Sequence, residues 1–140
     1  MSRIFWDTNL FVYLIEDYGE LSERVVQLRK RMNERRDELY TSTLTVGEIL
    51  IKPLEAGDEV LARRYEAALL QGADIIPFDV EAARLYASIR KDRTVRPPDA
   101  IQLACAAEAR VDLFITNDDR LSTKSIPQIQ FVTSLQRAFL

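Results

Sequence analysis

The chain carries the sequence RIFWDTNLFV at residues 3–12, in which one carboxylate separates two apolar runs. The residues before Asp7 favour a β-strand, and those after it favour a short helix. Asp7 is therefore predicted to lie where a strand gives way to a helix. In open α/β sheets, ligands bind at this carboxyl edge of the strands. Asp118 ends a second stretch of the same design, LFITND at residues 113–118.

Strand-like and helix-like patterns alternate along the rest of the chain. We predict five strands, at residues 4–6, 39–42, 74–78, 113–116 and 129–133. Helical patterns fill the intervals, at residues 10–16, 21–37, 46–54, 58–70, 80–90 and 97–110. Strands separated by helices indicate right-handed crossovers. The expected fold is an α/β three-layer sandwich with a mainly parallel five-stranded sheet flanked by helices, in a single domain over residues 1–140.

The composition is that of an ordinary globular protein, with 47% hydrophobic and 29% charged residues in 140. No apolar run has the length of a membrane span and no signal peptide is recognisable, so we expect no membrane partner. Cys105 is the single cysteine, which excludes an internal disulfide and favours the reducing cytoplasm. The net charge of −3 argues against coating nucleic acid by charge alone.

Four acidic residues are the candidates for chemistry, namely Asp7, Glu48, Asp99 and Asp118. Any one of them is explained by helix capping or by a solvated helix face. As a set they fit that explanation less well, because Glu48 lies within VGEIL and Asp99 precedes the small-residue run AIQLACAA. If the sheet is parallel, its carboxyl edge is where all four side chains could converge.

Carboxylates gathered at one point repel each other strongly. Two of them a few ångströms apart repel by roughly 3–4 kcal/mol at an effective dielectric constant of about 20. Four together would rival a total stability of about 5–15 kcal/mol. Such a cluster must take up protons or bind a cation, and all-oxygen ligands suit Mg²⁺ or Mn²⁺. Because the chain has no histidine, the metal would be the main activator of water for attack on phosphorus.

The ordered motifs resemble those of PIN-domain ribonucleases, and most closely the VapC-type toxins of bacteria and archaea. The resemblance is carried by DTN at residues 7–9, TVGE at 45–48, PDAIQLA at 98–104 and TNDDRL at 116–121. It implies a parallel sheet flanked by helices and an endoribonuclease that depends on Mg²⁺ or Mn²⁺. It also implies which residues form the catalytic metal site: Asp7, Glu48, Asp99 and Asp118.

Further expectations follow from the same resemblance. Thr8, Asn9 and Thr116 would be supporting polar residues that orient carboxylates or water. Asp119 is an extra acid beside Asp118, and the family pattern favours Asp118 for the metal site. Many members of the family are homodimers inhibited by a small antitoxin. The expected partners are therefore an RNA substrate, a second copy of the chain and a small protein antitoxin.

A run of basic residues directly precedes Asp99. Such a run can hold the phosphates that flank a cleavage site, and a solvated surface is an equally good interpretation. The candidates for RNA contacts are Arg90, Lys91, Arg93 and Arg96. Three aromatic residues, Tyr40, Phe131 and Phe139, are candidates for a dimer surface, although no pattern in the sequence decides it.

Three alternatives to a ribonuclease remain open. A haloacid-dehalogenase-like phosphatase also has an aspartate after its first strand, but it needs a second aspartate where this chain has Asn9, and a lysine near the site. A receiver-type signalling module needs a phosphoacceptor aspartate after a middle strand, for which Asp79 is the weak candidate. The third alternative keeps the PIN-like fold without catalysis, as an RNA-binding or interaction module.

Overall fold

A parallel sheet forms the centre of the computed structural model, which describes residues 1–138 and 140. Its strands are β1 (Arg3–Trp6), β2 (Glu38–Ser42), β3 (Asp74–Ile76), β4 (Leu113–Thr116) and β5 (Phe131–Ser134). Every pair of neighbouring strands in this sheet runs parallel. The expectation that Phe139 lies on a dimer surface falls outside the described residues.

Helices fill the connections between the strands. They are α1 (Thr8–Ile15), α2 (Glu20–Arg35), α3 (Thr43–Glu55), α4 (Glu59–Gly72), α5 (Val80–Ile89), α6 (Pro97–Glu108) and α7 (Asp119–Ser122), followed by a 3₁₀ helix (Leu135–Arg137). Local chemistry sets several of their starts. Asp58 accepts a hydrogen bond from Leu61 N, and Pro97 occupies the first turn of α6, where its missing N–H costs nothing. Among the described residues, no helix combines the length and hydrophobicity needed to cross a membrane.

The strands follow the order β3-β2-β1-β4-β5 across the sheet. The chain runs outward from β1 through β2 to β3, and then returns to the other side of β1 to form β4. The strand order therefore reverses between β1 and β4. In open α/β sheets, the crevice outside the carboxyl ends of the strands at such a switch point is the usual ligand site.

Hydrophobic cores cover both faces of the sheet. Successive side chains of a strand point to opposite faces, so Ile4 and Trp6 join a core with α1 to α4, while Phe5 joins a core with α5 to α7. On the second face, Phe5 stacks on Phe114 of the neighbouring strand with their ring centroids 5.1 Å apart. The three-layer α/β fold with a five-stranded parallel sheet, predicted from the sequence, is thereby confirmed.

Several boundaries differ from the sequence prediction. Helix α1 begins at Thr8, two residues before the predicted start, because Asp7 caps it directly. Strand β3 ends at Ile76, since Pro77 has no N–H to offer a neighbouring strand. Strand β5 begins at Phe131, after a turn in which Gln128 has a φ of 72°. Helix α7 and the 3₁₀ helix were not predicted, because segments this short show no hydrophobic period.

Candidate metal-dependent active site

A cavity of about 300 Å³ opens at the carboxyl edge of the sheet, beside the switch point between β1 and β4. Its walls contain all four acidic residues singled out in the sequence. The lining residues are Asp7, Thr8, Asn9, Val12, Glu48, Pro98, Asp99, Gln102 and Asp118. A larger cavity of about 580 Å³ lies between α2 and the segment around Leu135, but none of these acids borders it. The smaller cavity is therefore the candidate site.

Asp7 is the most deeply placed of the four acids, with 7% of its surface exposed. Its Oδ1 accepts hydrogen bonds from Thr8 N at 2.9 Å and from Gln102 Nε2 at 3.3 Å, and its Oδ2 accepts one from Thr116 Oγ1 at 2.8 Å. Burial raises the pKa of Asp7 in spite of these donors, and the charge of Glu48 adds to the rise. Three uncharged donors thus hold the Asp7 carboxylate in place, and none of them neutralises its charge.

Glu48 and Asp99 approach the same cavity from α3 and α6. Thr8 Oγ1 donates a hydrogen bond of 2.6 Å to Glu48 Oε1, which fixes that carboxylate beside the start of α1. Partial burial, and then the charges of Asp7 and Asp118, raise the pKa of Asp99 to about 6, with Arg96 opposing the rise and Glu48 adding to it. Because all three other acids act on Asp99, the four carboxylates share one electrostatic field.

Asp118 borders the cavity at the end of β4, whereas Asp119 is exposed and is not among the lining residues. Asp118 also caps α7 by accepting a hydrogen bond from Arg120 N at 3.0 Å. The Arg120 guanidinium binds both carboxylate oxygens, with Nε 3.2 Å from Oδ1 and Nη2 3.0 Å from Oδ2. Of the two adjacent acids, Asp118 is therefore the one placed at the cavity.

The donor chemistry of the cavity suits a divalent cation, although the side chains are not arranged as a finished metal site. Among the described residues, no three aspartate, glutamate, histidine or cysteine side chains form a ready metal-binding group. The Asp118 carboxylate forms an ion pair with Arg120, and the Glu48 carboxylate accepts a hydrogen bond from Thr8. The oxygen-only donors and the raised pKa of Asp99 still fit Mg²⁺ or Mn²⁺, since the cation would neutralise charge that the protein leaves uncompensated.

We expect Arg120→Ala to bind Mn²⁺ more tightly than the unchanged protein. To act as a metal ligand, Asp118 would have to give up its ion pair with Arg120, and such an exposed pair contributes about 0–1 kcal/mol. Its removal should therefore lower the Mn²⁺ dissociation constant by up to about fivefold. The measurement is a titration that follows free Mn²⁺ by electron paramagnetic resonance. Arg64→Ala on α4 is the control for the change in net charge. Weaker Mn²⁺ binding by Arg120→Ala would contradict the idea that Arg120 and the metal compete for Asp118.

The polar residues around the acids differ in what they contact. Thr8 and Thr116 donate to carboxylates, while Asn9 Oδ1 accepts a hydrogen bond from Asn117 N at 3.3 Å and so holds the loop after β4. The sequence reasoning gave no role to Gln102, a buried residue that lines the cavity, or to Thr45, whose buried Oγ1 lies 2.8 Å from Gln102 Nε2. A signal for Gln102 was present, because it is the polar residue inside an apolar helical run and lies three positions after Asp99.

The basic residues before Asp99 are not equivalent. Arg90 is half-buried, and its Nη1 donates to the Val95 carbonyl at 2.6 Å, so this guanidinium braces the loop. Lys91, Arg93 and Arg96 are exposed. Of these four basic residues, Arg96, directly before α6, is the one whose charge lowers the pKa of Asp99.

A sequence model of the PIN domain matches residues 4–126. The chain belongs to the PIN domain family. The resemblance drawn from the four motifs is confirmed at this level, and the match favours a PIN domain over a haloacid-dehalogenase-like phosphatase or a receiver module. The site agrees, because no lysine is among the described residues that line the cavity, and Asp79 caps α5 instead. Comparison with curated protein sequences gave no significant match.

Solved structures of VapBC systems share the fold of this PIN domain. VapBC2 from Rickettsia felis, bound to a promoter DNA fragment, aligns with a TM-score of 0.74 at 14% identity, over 94% of this chain and 98% of that chain. VapBC-5 from Mycobacterium tuberculosis aligns with a TM-score of 0.60 at 19% identity, over 95% of this chain and 99% of that chain. DNA-bound VapBC from Salmonella typhimurium aligns with a TM-score of 0.60 at 23% identity, over 96% of this chain and 99% of that chain. At these identities the similarity establishes the shared fold.

Proposed function

We propose that this PIN domain is an endoribonuclease that depends on Mg²⁺ or Mn²⁺ and hydrolyses phosphodiester bonds in RNA. One observation carries the proposal, namely the convergence of Asp7, Glu48, Asp99 and Asp118 on a single cavity at the switch point of the sheet. These four residues would hold the metal. When bound, a divalent cation supplies charge neutralisation at the phosphate and lowers the pKa of water.

The contribution of the protein is to hold negatively charged oxygens in place. Thr116 Oγ1 and the backbone N–H of Thr8 bind Asp7, and the Thr8 hydroxyl binds Glu48. An ionised carboxylate offers about four lone-pair positions, so these bonds leave acceptor capacity for a cation. Asp7 and Glu48 therefore combine fixed positions with negative charge that no ion pair among the described residues neutralises, which favours recruitment of a divalent ion.

The exposed basic residues beside the site are the proposed contacts for flanking RNA phosphates. Lys91, Arg93 and Arg96 remain available for that role, whereas Arg90 is engaged with the Val95 carbonyl. Phosphate contacts position the strand without reading its sequence. The proposal therefore assigns backbone binding to this segment and leaves base selection to other parts of the surface.

We expect Arg96→Ala to weaken RNA binding and to make it less sensitive to salt. Removing one cation that neutralises a phosphate of single-stranded RNA reduces the slope of log K against log salt by about 0.7. The measurement is fluorescence anisotropy of a labelled single-stranded RNA in EDTA, at several salt concentrations. Arg84→Ala on the exposed face of α5 is the matched control. An unchanged slope in Arg96→Ala would remove this residue from the RNA interface.

We also propose that the protein acts in the cytoplasm as the toxin of a toxin–antitoxin pair, as a homodimer that a small antitoxin inhibits. Support comes from the fold shared with VapBC systems and with a toxin–antitoxin complex from Klebsiella pneumoniae. Exposed apolar side chains are available for protein contacts, among them Ile51 and Leu54 on α3 and Phe131 on β5. Light scattering of the purified protein tests the dimer, for which twice the chain mass is expected.

The activity is tested on labelled structured and single-stranded RNAs, each incubated with Mn²⁺, with Mg²⁺ and with EDTA. We expect cleavage with a divalent ion and none in EDTA, while DNA of the same sequence serves as the substrate control. Binding of RNA without cleavage under every condition would favour the non-catalytic RNA-binding module. Cleavage that persists in EDTA would contradict the metal dependence.

A further inference from the structure

Gln102 is a buried hydrogen-bonding centre beneath the acidic cavity, with 1% of its surface exposed. Its Nε2 lies 3.3 Å from Asp7 Oδ1, 3.0 Å from Thr8 Oγ1 and 2.8 Å from Thr45 Oγ1. Its Oε1 accepts a hydrogen bond from Ser42 Oγ. One amide on α6 thus contacts the end of β1, the start of α1, the end of β2 and α3.

The bonding pattern requires an amide at this position. The nitrogen of a primary amide carries two hydrogens and its oxygen accepts. The two hydrogens of Gln102 are therefore shared among the three oxygens around Nε2, while its oxygen accepts from the Ser42 hydroxyl. The network continues inward, because Thr45 Oγ1 lies 2.8 Å from Thr41 Oγ1, which donates to the Trp6 carbonyl at 3.0 Å. Gln102 is therefore connected, through Thr45 and Thr41, to the backbone of β1.

The network also continues outward to a second acid. Thr8 Oγ1, which accepts from Gln102, donates to Glu48 Oε1 at 2.6 Å. An amide binds a carboxylate without neutralising it, unlike arginine or lysine, which would compete with a cation. Gln102 can thus fix Asp7 directly and Glu48 through Thr8 while leaving their negative charge free.

We propose that Gln102 is a positioning residue that sets Asp7 and Glu48 in the geometry required to bind the divalent cation. The inference rests on the proposed nuclease function and deepens it, by assigning the organisation of the acids to a neutral side chain on α6. Outer hydrogen-bond partners of metal ligands typically matter by about 10–100-fold in metal affinity or activity. Gln102 fills that role here from a fully buried position.

The test replaces Gln102 by methionine, which keeps the length of the side chain and removes its hydrogen bonds. We expect the Mn²⁺ dissociation constant, measured by electron paramagnetic resonance without RNA, to rise by about 10–100-fold. We expect kcat for RNA cleavage to fall over the same range, with KM for RNA within about twofold of the unchanged protein. A purely structural role would lower the melting temperature without this separation of kcat from KM.

Two further variants keep the inference testable. Ser42→Ala removes the anchor of the amide oxygen without touching a carboxylate, and we expect it to weaken Mn²⁺ binding in the same direction but less. Leu103→Val, a fully buried neighbour on α6 outside the cavity, is the stability control and should retain Mn²⁺ affinity. If Gln102→Met does not fold, Ser42→Ala carries the test.

The outcomes separate the inference from the proposed function. Unchanged Mn²⁺ affinity and kcat in Gln102→Met or Ser42→Ala, beside an active unchanged protein, would overturn the positioning role alone. Equal losses of Mn²⁺ affinity in Leu103→Val would also overturn it, because they would trace the effect to stability. An unchanged protein that neither binds Mn²⁺ nor cleaves RNA would overturn the proposed function.

Discussion

If the proposed activity is correct, we expect Asp7→Asn to cleave RNA more than about 100-fold more slowly than the unchanged protein in saturating Mn²⁺. Loss of an outer partner of a metal ligand already costs about 10–100-fold, and Asp7 is the most deeply buried of the four acids that line the cavity. Asparagine keeps the size of the side chain and one acceptor for the Thr8 N–H, so the fold should persist. The measurement is the initial rate of cleavage of a labelled RNA.

The adjacent acids provide a matched comparison for this result. Asp118→Asn should also lose cleavage, whereas Asp119→Asn should keep it, since Asp119 is exposed and does not border the cavity. This pair removes the same charge from neighbouring positions and so separates a role in the site from a change in net charge. Full activity of Asp7→Asn in excess EDTA would contradict both the metal dependence and the assignment of Asp7.

Local patterns were enough to predict the strands and the acids that follow them. Asp7 and Asp118 end apolar strand-like runs, and a parallel sheet places such residues at one edge. The strand order β3-β2-β1-β4-β5 was not predicted, because it depends on contacts between residues far apart in the chain. Yet this order is what makes β1 and β4 neighbours and brings Asp7 near Asp118.

The side-chain partners inside the site could not be predicted from the sequence. The bond between Gln102 and Asp7 joins positions 95 residues apart, and no local period specifies it. The pairing of Arg120 with Asp118 is local, but it depends on α7, a single turn of helix too short to show a pattern. Sequence reasoning thus predicted four acids that the fold brings to one cavity, and it missed the side chains that bind their carboxylates.

Metal-free Asp99→Asn will melt at a higher temperature than the unchanged protein at pH 8, and at the same temperature at pH 4. Burial first, and then the charges of Asp7 and Asp118, raise the pKa of Asp99 from 3.8 to about 6. The folded protein therefore holds a proton that the unfolded chain releases at lower pH. Stability from this group is complete below about pH 4 and is lost as the pH rises through 6.

The size of this effect follows from the change in pKa. The rise from 3.8 to about 6 corresponds to about 3 kcal/mol, and solvent screening of a half-buried group reduces that to about 1–2 kcal/mol. For a chain of this length, the gain at pH 8 should be about 3–8 °C. Thermal unfolding followed by circular dichroism in EDTA at both pH values measures it. Asp119→Asn, which removes an exposed acid, should show no comparable gain.

Mn²⁺ should reverse the order of the two melting temperatures at pH 8. An ion present at 100 times its dissociation constant stabilises the folded state by about 2.7 kcal/mol, and the unchanged protein would gain this while Asp99→Asn would not. Simple loss of packing in the variant would instead lower its melting temperature in every condition. A variant that gains as much from Mn²⁺ as the unchanged protein would exclude Asp99 from the metal site. A reversal would show that the burial and repulsion of the Asp99 carboxylate, which weaken the metal-free fold, are relieved when the cation binds.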